Sequence, residues 1–179
     1  MNEIELKYRL DGPESQDRLR ARLAELGAER GPAADEENVL YDDPAGSLGA
    51  GGTALRLRAI DGGPPARLTF KGPATIQAGV KSRREIELAV DDDRAARALL
   101  EALGYSPSVR YLKRRESWRL GGVEVALDTL VFGLFCEVEG PEERIRALAD
   151  RLGLRAEQVE TRGYPQLQRL HDAGSPAGR

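Results

Sequence analysis

Glutamates stand two residues apart near both ends of the strand-like sequence, Glu3 with Glu5 and Glu137 with Glu139. On an extended backbone that spacing points both carboxylates of a pair the same way. Basic residues repeat the pattern as Arg56 with Arg58 and Lys113 with Arg115, and Lys71 and Arg83 lie in further segments of the same character. Arg and Lys converging from several segments match a polyanion, and the guanidinium fork favours phosphate oxygens. Carboxylates cannot bind phosphate directly. Paired carboxylates beside a phosphate site are most economically explained as ligands for a hard divalent cation, Mg²⁺ or Mn²⁺, which takes oxygen donors and bridges to phosphate.

The chain that must position these groups has 179 residues, 40% hydrophobic and 32% charged, enough for one globular domain with a real core. The expected boundaries are a single domain over 1–172 and a disordered tail over 173–179. A net charge of −3 gives the surface as a whole no reason to attract nucleic acid or an anionic membrane, so any basic site must be local. The single Cys136 excludes an internal disulfide framework and a cysteine metal site, and a lone thiol is simplest in a reducing, cytoplasmic setting. No run has the length of a membrane-spanning helix, and the acidic, alternating N-terminus is unlike a signal peptide.

Alternation of charged and apolar residues predicts strands over 3–10, 38–41, 55–58, 67–71, 83–88, 111–119, 123–128 and 132–139. Gly62-Gly63-Pro64-Pro65 is the expected hairpin connection between the third and fourth. Helical spacing predicts amphipathic helices over 15–26, carrying Leu19, Leu23 and Leu26, and over 91–103, carrying Ala95, Leu99 and Leu103. Further helices are expected after Gly140-Pro141, with Ile145, Leu148 and Leu152, and near 164–171.

Any one of these strands has an ordinary reading, apolar face inward and charges in water. Summed, they do not. Glu3, Glu5, Lys7 and Arg9 share one face, as do Arg56 and Arg58, Arg67, Thr69 and Lys71, Arg83, Glu85 and Glu87, Lys113 and Arg115, and Glu137 and Glu139. Each helix has an apolar stripe that needs a partner, and the apolar strand faces are available. If helices cover those faces, the charged faces look toward each other. The predicted fold is therefore α+β: a closed antiparallel β-barrel, apolar outside under its helices and charged within.

Glu3-x-Glu5-x-Lys7 at the N-terminus resembles the signature of the CYTH superfamily, the triphosphate tunnel metalloenzymes, which groups class IV adenylyl cyclases, thiamine triphosphatases and inorganic triphosphatases. The segments that follow match in order: Tyr41-Asp42-Asp43-Pro44, Ala54-Leu55-Arg56-Leu57-Arg58, Leu68-Thr69-Phe70-Lys71-Gly72, Ser82 to Glu87, Lys113-Arg114-Arg115, Leu127-Asp128 and Phe135 to Glu139. The resemblance implies an eight-stranded antiparallel tunnel binding a triphosphate along a basic wall and a divalent metal along an acidic one. It implies Glu3, Glu5 and Glu139 as ligands of the principal metal, with Glu137 and Asp128 for a second ion or its water shell. It implies Arg56, Arg58, Lys71, Arg83, Lys113 and Arg115 as the phosphate wall, and Lys7 at the terminal phosphate, so that Lys7, Glu5 and Glu139 are the candidate catalytic residues. Glu85 and Glu87 orient the basic side chains or bind metal, and Tyr164 stands where members of the family often carry a Tyr near the tunnel end. Arg83 is preferred to Arg84 by parity, and Arg67 is left as lumen or rim.

The implied partner is a small triphosphate: inorganic triphosphate, ATP or thiamine triphosphate. The same wall serves a hydrolase, which aims water at the terminal phosphorus, and a cyclase, which aims the ribose 3′-hydroxyl at the α-phosphorus. With 5% aromatic residues there are few platforms on which a purine could stack, so hydrolysis is the preferred reading, the cyclase the alternative, and a non-catalytic nucleotide or polyphosphate binder the third. The oligomeric state, homodimer included, stays open. Other features have ordinary readings: His171 as a solvated helix residue, Cys136 as an inert outward core thiol, Trp118 as packing under a helix, and the Gly-rich segment after Pro44 as a cap on one barrel mouth, since it lacks the phosphate-loop pattern.

Overall fold

In the computed structural model, which describes residues 2–60 and 65–174, the alternating segments pair into one continuous antiparallel sheet. The strands are β1 (Asn2–Leu10), β2 (Glu29–Asp42), β3 (Ala54–Ile60), β4 (Ala66–Lys71), β5 (Thr75–Gln77), β6 (Val80–Val90), β7 (Ser106–Leu120), β8 (Val123–Leu130) and β9 (Gly133–Glu139). Their order is β1-β9-β8-β7-β2-β3-β4-β6-β5, and β1 also pairs with β6, with Glu3 opposite Arg83 and Glu5 opposite Lys81. That last pairing closes eight strands into a barrel and leaves β5 as a short hairpin strand on β6. Closure removes the exposed edges an open sheet would carry.

The helices are α1 (Pro13–Glu25), the single turn α2 (Ser47–Ala50), α3 (Asp93–Ala102), α4 (Glu142–Arg151) and α5 (Tyr164–Gly174). Period-two sidedness sends Leu6, Tyr8, Val125, Leu127, Cys136 and Val138 outward, where they pack with Leu19 and Leu23 of α1 and Ile145 and Leu148 of α4. A second outer core joins Val39, Tyr41 and Leu57 to Leu100 of α3. The barrel is thus apolar outside and charged within. The third cluster differs: Leu40, Tyr111, Phe135, Tyr164 and Leu167 form an aromatic plug where α5 meets the barrel.

Several local expectations are revised. β2 begins at Glu29 and not near Asn38; Gly31 and Pro32 interrupt its alternation, and the register shifts there against β7. β7 likewise begins at Ser106, and β5 lay unrecognised after Lys71. On α3 the inward residues are Leu100 and Ala96, whereas Leu99 and Leu103 are exposed. The Gly-rich segment contains α2, whose amides at Leu48 and Gly49 donate to the Asp42 carboxylate. Of the expected hairpin connection, residues 62–64 lie outside the described residues, as do 175–179 of the expected tail; Ala173 and Gly174 belong to α5. Gly121 and Gly122, both at positive φ, make the two-residue β7–β8 turn, a conformation that suits glycine.

Candidate active site

Barrel closure brings the inward side chains onto one cavity of about 680 Å³. Its lining includes Glu3, Glu5, Lys7, Arg56, Arg58, Lys71, Arg83, Glu85, Glu87, Lys113, Arg115, Glu137, Glu139 and Tyr164. All the expected site residues are therefore on the lumen except Asp128, which is fully buried beside it. Arg67 pairs with Glu87 at 3.5 Å without lining the cavity. Trp118 packs in the outer core, as expected, with its indole N–H donated to Glu116.

The charges are sorted by strand except on β6, which brings Lys81 and Arg83 together with Glu85 and Glu87 to the lining. Glu3 and Glu5 on β1, Glu137 and Glu139 on β9 and Glu124 on β8 make an acidic sector of adjacent strands; Arg56, Arg58, Lys71, Lys113 and Arg115 come from β3, β4 and β7. Pairing register explains the crowding, because Glu139 stands opposite Glu5 on one side and opposite Glu124 on the other. Lys7 is the cation of the acidic sector: it stands opposite Glu137, lies 4.0 Å from its carboxylate, and sits 4.5 Å from the centre of the Tyr164 ring.

Most of these charges are paired. Glu3 accepts from Lys71 and from Arg83, both at 2.8 Å, and although burial works the other way these cations hold its carboxyl at about 2. Glu5 accepts from Lys81 at 2.7 Å. Arg58 lies 3.5 Å from both Glu36 and Glu87, and Lys71 also reaches Glu85 at 3.3 Å. Arg115 bonds Glu137, whose carboxyl is held far below the usual range by Arg115, Lys113 and Lys7 against the opposing effect of burial. Burial lowers the pKa of Lys7, Lys71 and Lys113.

Among the described residues Glu139 is the lumen carboxylate that no cation pairs with. Burial and the neighbouring Glu3, Glu5 and Glu124 carboxylates push it up to about 7. Negative charge crowded in this way, on oxygen donors alone, fits a hard divalent cation. Among the described residues no three such groups already stand as a ready-made cage, because Lys71, Arg83 and Lys81 engage Glu3 and Glu5. A metal held here would exchange partners with those cations.

Four lumen-side residues escaped the sequence reading. Lys81 precedes the segment whose alternation was clear, and Glu124 sits just past the glycine turn. Glu36 and Asn38 lie on the strand that Gly31 and Pro32 disguised; both are buried, with Glu36 3.3 Å from Lys113. Among the described residues neither Nδ2 nor Oδ1 of Asn38 finds a hydrogen-bond partner, nor do the Nε atoms of Arg56 and Arg58. Parity was the available signal for all four.

Comparison with known proteins agrees with this geometry. The CYTH domain model matches residues 1–164. The adenylate cyclase CyaB of Aeromonas hydrophila is 32% identical over 92% of this chain and 87% of its own. A solved structure from Vibrio parahaemolyticus, described as a candidate adenylate cyclase, superposes with a TM-score of 0.81 at 26% identity, covering 92% of this chain and 96% of that one. HpAC1 from Hippeastrum, for which a dominant triphosphatase activity is described, shares the fold at 20% identity with a TM-score of 0.71, covering 98% of each chain. Enzymes of this family use divalent metal ions and act on ATP or other triphosphates. With its signature residues gathered in one closed charged tunnel, the chain belongs to the CYTH domain family.

Proposed function

We propose that the protein is a metal-dependent phosphohydrolase that releases orthophosphate from a triphosphate bound along the tunnel. The observation that carries this reading is the sorting of charge across one cavity, cations on β3, β4 and β7 facing carboxylates on β1 and β9. Arg56, Arg58, Lys71, Lys113 and Arg115 bind the phosphate chain and hold it in line, with Arg83 at the β6 side. Glu3, Glu5 and Glu139 would hold the divalent ion, Mg²⁺ or Mn²⁺, with Glu137 beside them. Such an ion supplies neutralisation of the phosphoryl oxygens and orientation of the terminal group. Lys7 donates to the terminal phosphoryl oxygens. Water forms the new bond to the terminal phosphorus and its protons stay on the oxygens of the orthophosphate formed, while the bridging P–O bond breaks and its electron pair leaves on the remaining diphosphate, whose charge the arginines neutralise.

The second reading, cyclisation of ATP to cyclic AMP and pyrophosphate, is favoured by the likeness to the Aeromonas cyclase. Hydrolysis is placed first because the two tyrosines of the lining have little free ring face. Tyr164 is buried and donates its hydroxyl to Asp128 at 2.9 Å, and Tyr111 is buried against Arg56. No helix among the described residues is long and apolar enough to cross a membrane, and the buried, unpaired Cys136 suits a reducing cytoplasm.

The test is a product assay with inorganic triphosphate, ATP and thiamine triphosphate offered separately with Mg²⁺ or Mn²⁺, beside a Glu5→Gln control. Orthophosphate without cyclic AMP is the expected result. Cyclic AMP with stoichiometric pyrophosphate would replace this reading with the cyclase. No Glu5-dependent product from any substrate would leave a binding module.

A further inference from the structure

Asp128 is inward by parity and acidic, yet it does not behave like the other lumen carboxylates. Its side chain is fully buried and both oxygens are committed. Arg115, directly opposite in register, donates from Nε to Oδ1 at 2.8 Å and from Nη2 to Oδ2 at 2.6 Å, a two-point grip that fixes the plane of the guanidinium. Lys113 donates to Oδ2 at 3.4 Å, and the Tyr164 hydroxyl donates to the same oxygen at 2.9 Å. A cation could reach Asp128 only by displacing Arg115 and Tyr164 from a site closed to solvent. The partners it holds, Lys113 and Arg115, do line the cavity.

Tyr164 extends the arrangement to the plug. It is the first residue of α5, and its ring stands 4.5 Å from Lys7 Nζ and 5.5 Å from Lys113 Nζ. One ring therefore touches two lumen ammonium groups while its hydroxyl is tied to the carboxylate that holds a third cation. Lys113 is itself buried, with Glu36 at 3.3 Å and Asp128 at 3.4 Å as the carboxylates that pair with its charge.

From this geometry we infer that Asp128 and Tyr164 are positioning residues for the triphosphate, aiming Arg115 and fixing the place of Lys113, and that Asp128 is no metal ligand. The inference rests on the triphosphate reading of the tunnel. It reassigns Asp128 from the acidic wall, where sequence placed it, to the support of the basic one.

The experiment measures two affinities separately on the full chain: Mn²⁺ alone by electron paramagnetic resonance, and the non-hydrolysable β,γ-methylene-ATP by calorimetry. Asp128→Asn is expected to weaken analogue binding about tenfold or more, the scale of a charged hydrogen-bond partner, with Mn²⁺ affinity changed less than about twofold. In turnover the same variant raises KM with a smaller effect on kcat. Tyr164→Phe, which leaves every charge in place and so keeps the test open if Asp128→Asn does not fold, is expected to weaken the analogue about threefold or more, again without touching Mn²⁺. Loss of Mn²⁺ affinity in Asp128→Asn matching that in Glu139→Gln would overturn the inference. So would unchanged or tighter analogue binding in the variants, the latter marking Asp128 as a competitor of the substrate. Wild-type protein that fails to bind the analogue would sink the triphosphate reading together with the inference.

Discussion

At the residue scale, the lumen carboxylates divide into those already neutralised by protein cations and those that are not. Glu3 and Glu137 are held down by Lys and Arg neighbours, whereas Glu139 is held up near 7 by burial and by Glu3, Glu5 and Glu124. Replacing Glu139 by Gln should lower Mn²⁺ affinity and turnover by at least about a hundredfold, as expected for loss of an ionic metal ligand. The same replacement should raise the melting temperature in chelator at pH 8 by a few degrees. The repulsion it removes is worth about 1 kcal/mol after discounting for solvent around this side chain, which is only partly withdrawn from water, or ~3 °C for a domain of this size. Parity in the sequence was enough to aim Glu3, Glu5, Arg83, Glu137 and Glu139 inward, because successive side chains on a strand alternate. Parity cannot distinguish an inward residue on the cavity from one that anchors a neighbour, and the resemblance, which implied Asp128 for a second ion or its water shell, carries no such distinction either.

At the element scale, helices over the outside of a barrel are what allow its inside to be charged. α1 and α4 cover β1, β8 and β9, and α3 covers β2 and β3. The stripes of α1 and α4 were legible as Leu19, Leu23, Ile145 and Leu148 because few other apolar residues compete for the face. On α3 Leu99, Leu100 and Leu103 compete, and spacing alone chose the exposed pair. Leu100→Ala should therefore cost about 2–4 kcal/mol in urea unfolding, while Leu99→Gln and Leu103→Gln should each stay within about 0.5 kcal/mol of wild type. A large cost at Leu99 would mean that α3 is rotated from its described position. The plug was not legible at all, since it assembles Leu40, Tyr111, Phe135 and Leu167 from segments far apart in the chain.

At the scale of the whole molecule, the tunnel makes stability depend on pH in two opposite ways. Glu3, lowered from an ordinary 4.5 to about 2, contributes stability that is complete above about pH 4.5 and lost as pH falls through 2. Glu139, raised from 4.5 to about 7, binds its proton more tightly folded than unfolded, so stability falls as pH rises from 4.5 through 7. Urea midpoints measured in chelator should decline between pH 5 and pH 8, and both Glu139→Gln and saturating Mg²⁺ should flatten that decline. A midpoint that rises over this interval in chelator would contradict the crowded acidic sector. The closed barrel was readable because so many strands carried full charges on one face, and its closure through β1 and β6 is what turns those faces into a site. The central claim is that this site directs water to the terminal phosphorus of a triphosphate. The most direct measurement is mass analysis of the products formed from ATP and from inorganic triphosphate in ¹⁸O-labelled water with Mg²⁺. One ¹⁸O in orthophosphate, and none in the diphosphate product, is the predicted result; unlabelled pyrophosphate released with cyclic AMP from ATP would contradict it.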